Sequence, residues 1–261
     1  MARAGSLYLM YHELLVPGRS PCSQNRGYTR YVVGKSSFRH QMLRLREAQI
    51  RTVSVGEALT GQNPPGVVLT FDDGCETDLL AAAPLLTELG FGATFYVVAG
   101  FLGQKGYMSS EQLRELSDLR FEIGCHSMSH AYLTDLKPPQ LFTEIVEAKD
   151  RLEQLLGTRV CHLSCPGGRW SPQIAGLARE VGYTSVATSR PAMNYPSTNR
   201  FRLARLAVTS EVSVEDFDAL CRGKGLTKRR AREAVLGIAK GMIGNSRYEQ
   251  LRASLLDTKQ N

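Results

Sequence analysis

Two adjacent carboxylates, Asp72 and Asp73, follow an apolar run and precede a glycine in the segment Val67–Gly74. Because the C-terminal ends of parallel strands face a common mouth in α/β folds, this position suits catalysis. Neighbouring carboxylates repel each other unless a cation or a proton intervenes. One of them could bind a metal while the other acts as a base. The alternative is a plain Asp-Asp-Gly turn, in which aspartate caps the chain and glycine takes a positive φ.

Two histidines, His126 and His130, come after a second strand-like run. Histidines four residues apart share one face of a helical turn, so both rings can converge on one ion. With Asp73 they supply two nitrogens and one oxygen and leave positions open for water and substrate. That set is typical of a catalytic zinc site rather than of a closed structural one. The alternative is a pair of surface or capping histidines.

A third segment, Leu163–Trp170, contains Pro166 and Gly167 directly after another strand-like run. Proline and glycine there bring backbone close to a ligand or simply form a tight turn. Trp170 is the only tryptophan, and its indole face could stack on a sugar ring or pack within the protein. We therefore take Pro166, Gly167 and Trp170 as candidate substrate-binding residues.

Strand-like and helix-like segments alternate along the chain, which predicts parallel strands covered by helices. The predicted strands are Leu7–Tyr11, Val67–Phe71, Ala93–Val98, Phe121–Cys125, Val160–Ser164, Tyr183–Thr188 and Leu203–Val208. The predicted helices between them are Ser37–Ala48, Asp78–Leu89, Ser109–Leu119, Pro139–Leu156 and Pro172–Val181. Glycines 90, 157 and 182 follow three of these helices, as a left-handed C-terminal cap prefers.

The strand pattern stops after about residue 210, so we predict a barrel over residues 1–210 and a helical extension over 211–261 that packs on it. Helical patterns there cover Val214–Leu220, Glu233–Ile243 and Arg247–Leu256. The segment Arg222–Arg232 holds six basic residues and no acid. We interpret it as a solvated helix face, with weak contact to an anionic membrane surface as the alternative. No nucleic-acid partner is expected.

The composition is that of an ordinary globular protein: 261 residues, 43% hydrophobic and 22% charged. It excludes disordered, collagen-like and disulfide-dense classes. The six cysteines show no framework spacing, so we predict free thiols, including those of Cys161 and Cys165, rather than a zinc site. The apolar stretch near Met1 is too short to indicate a secretory signal peptide, and we expect a cytoplasmic location.

The motif Thr70–Gly74, followed by His126-Ser127-x-x-His130 and Leu133, resembles the NodB-homology polysaccharide deacetylases of carbohydrate esterase family 4. The resemblance covers roughly residues 5 to 210. It implies an α/β fold, a distorted (β/α) barrel of about seven parallel strands, and a carbohydrate substrate. It also implies a divalent metal, zinc by preference, held by Asp73, His126 and His130, with Asp72 as the base.

Two motifs of that family are altered in this sequence. The family's third motif usually carries an arginine that orients the base, but Ser164–Gly168 lacks it. The late strand Leu203–Val208 lacks the family's acid histidine, whereas His12 ends the first strand. This start, with Phe38–Leu45 after it, is similar to the exopolysaccharide-associated branch of the family. Since first and last strands are neighbours in a closed barrel, we hypothesise that His12 is the acid.

We further hypothesise that Arg205 replaces the missing base-orienting arginine; the alternative is a surface salt bridge. The reaction expected is hydrolysis of a sugar N-acetyl group by water activated on the metal. Asp72 would take the proton, a backbone N–H near Gly167 would help to stabilise the oxyanion, and His12 would protonate the departing amine. Two other functions remain open: hydrolysis of another non-peptide C–N bond, and carbohydrate binding without turnover.

Overall fold

The computed structural model describes residues 5–61 and 66–226. The strands are β1 (Leu7–Tyr11), β2 (Leu14–Leu15), β3 (Val33–Gly34), β4 (Thr52–Val53), β5 (Val67–Asp73), β6 (Thr94–Val97), β7 (Glu122–Cys125), β8 (His162–Ser164), β9 (Ser185–Ala187) and β10 (Leu206–Ala207). The α-helices are α1 (Arg26–Thr29), α2 (Lys35–Glu47), α3 (Val55–Leu59), α4 (Ala83–Leu89), α5 (Ser110–Asp118), α6 (Pro138–Phe142), α7 (Ala148–Leu156), α8 (Pro172–Glu180) and α9 (Val214–Cys221). Short 3₁₀ turns cover Ala99–Phe101, Leu133–Asp135, Pro166–Gly168 and Arg200–Arg202, and π-helical turns cover Asp78–Ala82 and Thr143–Glu147.

Seven strands form the main path of a parallel sheet, in the order β10-β1-β5-β6-β7-β8-β9, and β4 pairs with β5 beside it. In the register, Leu9 of β1 lies opposite Leu69 on one side and Leu206 on the other. An isolated parallel bridge between Ala187 and Leu203 links β9 to the chain just before β10. The predicted α/β fold with a distorted barrel is therefore confirmed.

The sheet is buried on both faces, which explains why its strands are nearly continuous apolar runs. All seven residues of β5 are buried. Alternate side chains along a strand point to opposite faces. Leu69 and Phe71 lie in the large core cluster, where the ring of Phe71 stacks on that of Phe95 at 4.6 Å. Val68 and Tyr96 lie in a smaller cluster on the other face.

The helices begin and end close to where the sequence predicts. Ser109 caps α5 with a complete capping box, as its residue type favours. The predicted helix over 139–156 is a continuous helical stretch of α6, a π-helical turn and α7, and Gly157 ends it with φ 67°. The predicted helix over 78–89 is likewise a π-helical turn followed by α4.

The last predicted strand, Leu203–Val208, is shorter in the structure. Only Leu206–Ala207 form β10, and Leu203 takes part in the isolated bridge. The side chain of Asn194 accounts for the break, because its amide donates to the Ala204 carbonyl at 2.7 Å and accepts from the Ala204 N–H at 2.9 Å. Those backbone groups are therefore not available to a strand ladder. Strands β2, β3 and β4 were not predicted, since two-residue strands show no periodicity.

The C-terminal region is described as far as residue 226. Helix α9 packs beside α2, where Arg44 pairs with Asp218 at 2.7 Å. The predicted helices Glu233–Ile243 and Arg247–Leu256, and the basic segment beyond residue 226, lie outside the described residues. The division at residue 210 stays a prediction. In the described ranges, no helix is both long and apolar enough to cross a membrane.

Candidate active site

The two adjacent aspartates lie at the C-terminal end of β5 and are both buried. Asp72 pairs in register with Tyr96 and Asp73 with Val97 of the neighbouring strand β6. The chain turns sharply there, because Asp73 has φ 82° and Gly74 φ 79°. A Cβ atom at Gly74 would lie 2.9 Å from the Val97 side chain, so this position requires glycine. The turn directs two successive carboxylates to the mouth of the barrel.

The two histidines follow β7 in a tight loop. The backbone N–H of His126 donates to the Val97 carbonyl at 2.8 Å, which continues the sheet for one residue. Ser127 and His130 then take left-handed φ values of 70° and 62°, and the Ser127 hydroxyl accepts from the His130 N–H at 3.0 Å. The prediction of a helical turn between the histidines was therefore wrong. The loop brings the two rings together all the same, with centroids 5.1 Å apart.

Asp73, His126 and His130 are a possible set of metal ligands, because one ligand atom of each lies within 4.8 Å of the other two. The Asp73 Oδ1 atom lies 3.6 Å from His126 Nε2 and 3.4 Å from His130 Nε2. This oxygen is buried and has no hydrogen-bond partner in the described part of the chain. A buried carboxylate oxygen that faces two imidazole nitrogens fits a divalent cation of the zinc type.

The protonation state of His126 is that of a metal ligand. Burial lowers the pKa of His126 to about 4, so the ring is neutral at physiological pH. Its Nδ1 lies 2.9 Å from the Ser164 carbonyl oxygen, which can only accept a hydrogen bond. Nδ1 therefore carries the proton, and the Nε2 lone pair faces Asp73. Metal-binding histidines are commonly oriented by such a contact.

Arg205 forms a bidentate ion pair with Asp72. Its Nη1 donates to Asp72 Oδ1 at 2.6 Å and its Nη2 to Oδ2 at 2.8 Å. Further bonds run from Nε to the Thr188 carbonyl at 3.0 Å and from Nη2 to the Ser164 hydroxyl at 2.7 Å. Arg205 is 0% exposed, so the alternative of a surface salt bridge was wrong.

The ion pair sets the charge of Asp72. Burial alone would favour the neutral acid, but the guanidinium of Arg205, with a smaller contribution from His126, holds the pKa of Asp72 well below its usual range. The Ser164 hydroxyl also lies 3.3 Å from Asp72 Oδ2. Asp72 is therefore a carboxylate across the physiological range, and its Oδ2 lies 3.7 Å from His126 Nε2.

His12 follows β1 and is partly buried. Its ring lies 4.8 Å from that of Tyr31, and its Nδ1 atom is buried with no hydrogen-bond partner among the residues described. The ring is close enough to Asp72 to influence the pKa of that carboxyl. The structure thus brings His12 to the same mouth as Asp72, whereas its role as an acid stays a prediction.

The third segment forms a 3₁₀ turn, Pro166–Gly168, after β8. Gly167 has φ 61°, and a Cβ atom there would lie 2.7 Å from the Tyr132 ring. The Trp170 Nε1 donates to the Phe201 carbonyl at 2.5 Å, and the Arg202 guanidinium lies 4.6 Å from the indole centre. Trp170 therefore makes contacts within the protein, and its stacking on a sugar ring stays a prediction.

Sequence reasoning missed Glu144, a buried acid that holds the histidine loop. Its carboxylate accepts from the Met128 and Ser129 N–H groups at 2.9 Å each and from the Ser129 hydroxyl at 2.5 Å. The available signal was its position: Glu144 lies three residues after Leu141, on the apolar stripe of the helix. An acid in that stripe needs a buried partner.

Comparisons with known proteins identify relatives of this chain. Residues 60–186 match the family model described as polysaccharide deacetylase. The chain is 27% identical to the protein YxkH of Bacillus subtilis over 193 residues, which span 72% of this chain and 69% of that protein. It is 28% identical over 124 residues to a chitooligosaccharide deacetylase of Rhizobium leguminosarum, a match that covers 46% of this chain and 52% of that relative.

Two solved structures share the fold. The deacetylase PplD of Streptococcus pyogenes, determined in complex with acetate, superposes with a TM-score of 0.76 at 21% identity and covers 84% of this chain and 99% of its own. IcaB from Ammonifex degensii superposes with a TM-score of 0.71 at 26% identity, covering 84% of this chain and 97% of its own.

Proposed function

The chain carries a polysaccharide deacetylase domain, and we propose from this premise that it hydrolyses N-acetyl groups from a poly- or oligosaccharide that contains N-acetylhexosamine. One observation carries the proposal. A carboxylate kept ionised by a buried arginine, Asp72, lies 3.7 Å from a nitrogen of the Asp73, His126 and His130 set. A carboxylate that is ionised at neutral pH, and can therefore accept a proton beside possible metal ligands, suits amide hydrolysis.

Asp73, His126 and His130 would hold a divalent cation. The unpartnered Asp73 Oδ1 and the neutral His126 support this assignment. When bound, such a cation supplies Lewis-acid chemistry, polarising an amide carbonyl and lowering the pKa of water. His130 is the most accessible of the three, with a side chain 37% exposed, so substrate would approach from its side.

Asp72 would accept the proton of the attacking water. Its low pKa keeps it in the carboxylate form, and the fork of Arg205 fixes the plane of the carboxyl group. A fixed carboxylate needs no reorganisation as the proton moves, which favours general base catalysis. Arg205 would therefore act through Asp72, as a positioning residue.

His12 would donate a proton to the departing amine, which is otherwise a poor leaving group. Its place at the end of β1, in the mouth that also holds Asp72, supports this role. A backbone N–H in the turn at Gly167 would stabilise the oxyanion.

The test is acetate release from N-acetylglucosamine oligomers by the metal-loaded chain. We expect release by the parent and its loss in Asp72→Asn, with bound metal unchanged. Asp118→Asn, which alters an exposed aspartate at the end of α5, is the matched control and should keep full activity. No release by a parent with stoichiometric metal would contradict the proposal. A panel of cyclic imides and ureides would then test other C–N bonds.

A further inference from the structure

A second group of metal-binding residue types, Glu13, Cys22 and Cys75, lies beside the site. Glu13 follows His12, and Cys75 comes two residues after Asp73. The Cys22 Sγ lies 3.6 Å from the Cys75 Sγ and 3.6 Å from Glu13 Oε1. Glu13 and Cys75 are buried, whereas Cys22 is partly exposed. This cluster shares no residue with the proposed catalytic ligand set.

The spacing of the cluster is that of a tetrahedral thiolate site. Zinc–sulfur bonds of about 2.3 Å and zinc–oxygen bonds of about 2.0 Å place two sulfurs about 3.8 Å apart, and sulfur and oxygen about 3.5 Å apart. The separations of Cys22 Sγ from Cys75 Sγ and from Glu13 Oε1 are close to both values. Two thiolates in the set favour zinc-like ions over magnesium or calcium.

The surroundings of the cluster are acidic and lack a counter-charge. Asp78 is fully buried, and neither of its carboxylate oxygens has a hydrogen-bond partner in the part of the chain described. Asp78 interacts electrostatically with Asp73 as well as with Cys22 and Glu13. Within the same described ranges, neither Asp78 nor Glu13 forms an ion pair with a lysine or arginine. A bound cation nearby would give the unpartnered Asp78 carboxyl an electrostatic partner.

The fold makes room for the cluster. The Cys22 thiol donates to the Gly106 carbonyl at 3.1 Å, and a Cβ atom at Gly106 would lie 2.8 Å from the Cys22 sulfur. The Tyr28 hydroxyl donates to Glu13 Oε2 at 2.8 Å and lies 3.4 Å from the Cys75 sulfur. The Cys22 N–H also donates to Glu13 Oε2 at 2.9 Å and to Oε1 at 3.2 Å, so Tyr28 and the Cys22 backbone together hold the carboxylate with Oε1 near the Cys22 sulfur.

We propose that Glu13, Cys22 and Cys75 form a second metal site, for a thiophilic divalent cation of the zinc class. Binding would release the protons of the two thiols, because thiolates are the ligands. The site would join three separate segments, namely the loop after β1, the loop after β2 and the turn after β5. It would thus stiffen the segments that carry His12 and Asp73, next to the proposed catalytic metal.

The test is cobalt(II) titration of the full chain under a thiol-free reductant. We expect two equivalents of cobalt per chain and a thiolate-to-cobalt charge-transfer absorption in the near ultraviolet. Cys22→Ser should remove that absorption and one equivalent. His126→Gln should remove the other equivalent and keep the absorption. The charge-transfer signal does not depend on turnover. Absence of the second metal site can therefore be distinguished from absence of the proposed deacetylase activity.

Two further variants sharpen the result. Cys221→Ser alters another partly buried thiol, on α9, and should keep both equivalents and the absorption. Glu13→Gln should weaken cobalt binding at the thiolate site about tenfold while retaining the absorption at saturation. A reduced wild-type chain that binds a single equivalent without thiolate absorption overturns the proposal, however the variants fold. Absorption that persists in Cys22→Ser overturns it as well.

Discussion

The two terminal nitrogens of Arg205 lie 2.6 and 2.8 Å from the two carboxylate oxygens of Asp72, and both side chains are buried. The partners are 133 residues apart in the chain, and the pairing of β10 with β1 beside β5 brings them together. Removing one partner of such a pair leaves a buried charge uncompensated, at a cost of about 3–5 kcal/mol. The pair therefore couples barrel closure to the charge state of the site.

Replacing Arg205 should move the acidic limb of the rate profile. Its guanidinium lowers the pKa of Asp72, so Arg205→Met should raise that pKa. Since Asp72 would act as the carboxylate, the acidic limb of kcat shifts to higher pH. Arg205→Lys keeps a charge but loses the fork, so we expect a smaller shift and a kcat loss of roughly tenfold. The measurement is kcat against pH on chitooligosaccharide.

The matched control for this series is Arg44→Lys. Arg44 also reaches both oxygens of an aspartate, Asp218, but the pair lies near the surface. Such a pair contributes about 0–1 kcal/mol, so the pH profile and the melting temperature should stay close to those of the parent. An unchanged acidic limb in Arg205→Met, in a variant that is folded, would contradict the coupling between Arg205 and Asp72.

Replacing His126 should weaken metal binding, whereas replacing His162, which is also buried, should not. We expect His126→Gln to remove the proposed catalytic cation and about 10²-fold or more of the proposed activity, because its Nε2 faces Asp73. His162→Gln changes a histidine that is also buried but bonds the Ser185 hydroxyl at 2.9 Å, away from the mouth. It should keep the metal. Elemental analysis decides the point, and equal metal loss in both variants would argue against the ligand assignment.

Glu144→Gln should weaken metal binding although the residue is not a ligand. The amide retains one acceptor, but its NH₂ group would face the donors of Met128 and Ser129, which loosens the loop that carries both histidines. A loss of about 10- to 100-fold in affinity is typical of residues that orient ligands. Glu147→Gln, on the exposed side of the same helix, is the control. Metal titration with a competing chelator measures the difference.

The sequence predicted the sheet and the grouping of Asp73, His126 and His130 because both depend on strand order. A motif directly after a buried parallel strand lies at the same mouth as every other such motif, whatever the loops do. The same logic brought His12 and Arg205 to Asp72, since β1 and β10 are neighbours in the sheet. The predicted location of these residues stays correct even when a strand is a few residues shorter or longer than predicted.

Loop geometry was not predictable in the same way. The His126–His130 segment was expected to be a helical turn, but positive φ values at Ser127 and His130 make it a compact loop. Its anchor, Glu144, lies 16 residues after Met128, on the helical stretch that follows the loop. The contact between Cys22 and Cys75 joins residues 53 positions apart through a loop without periodicity. No local sequence pattern indicates either contact, so both are seen only in the tertiary structure.

His12→Ala tests the proposed acid, which the sequence motif suggests and proximity to Asp72 supports. The side chain is not among the candidate ligands, so the variant should bind metal like the parent. Loss of a general acid typically costs about 10²–10⁴-fold in rate. The loss should shrink on a substrate with a better leaving group, such as an acetyl ester, because an alcohol needs less help to depart. His40→Ala, at an exposed position of α2, is the control. Unchanged turnover of amide by metal-loaded His12→Ala would assign the acid to another group.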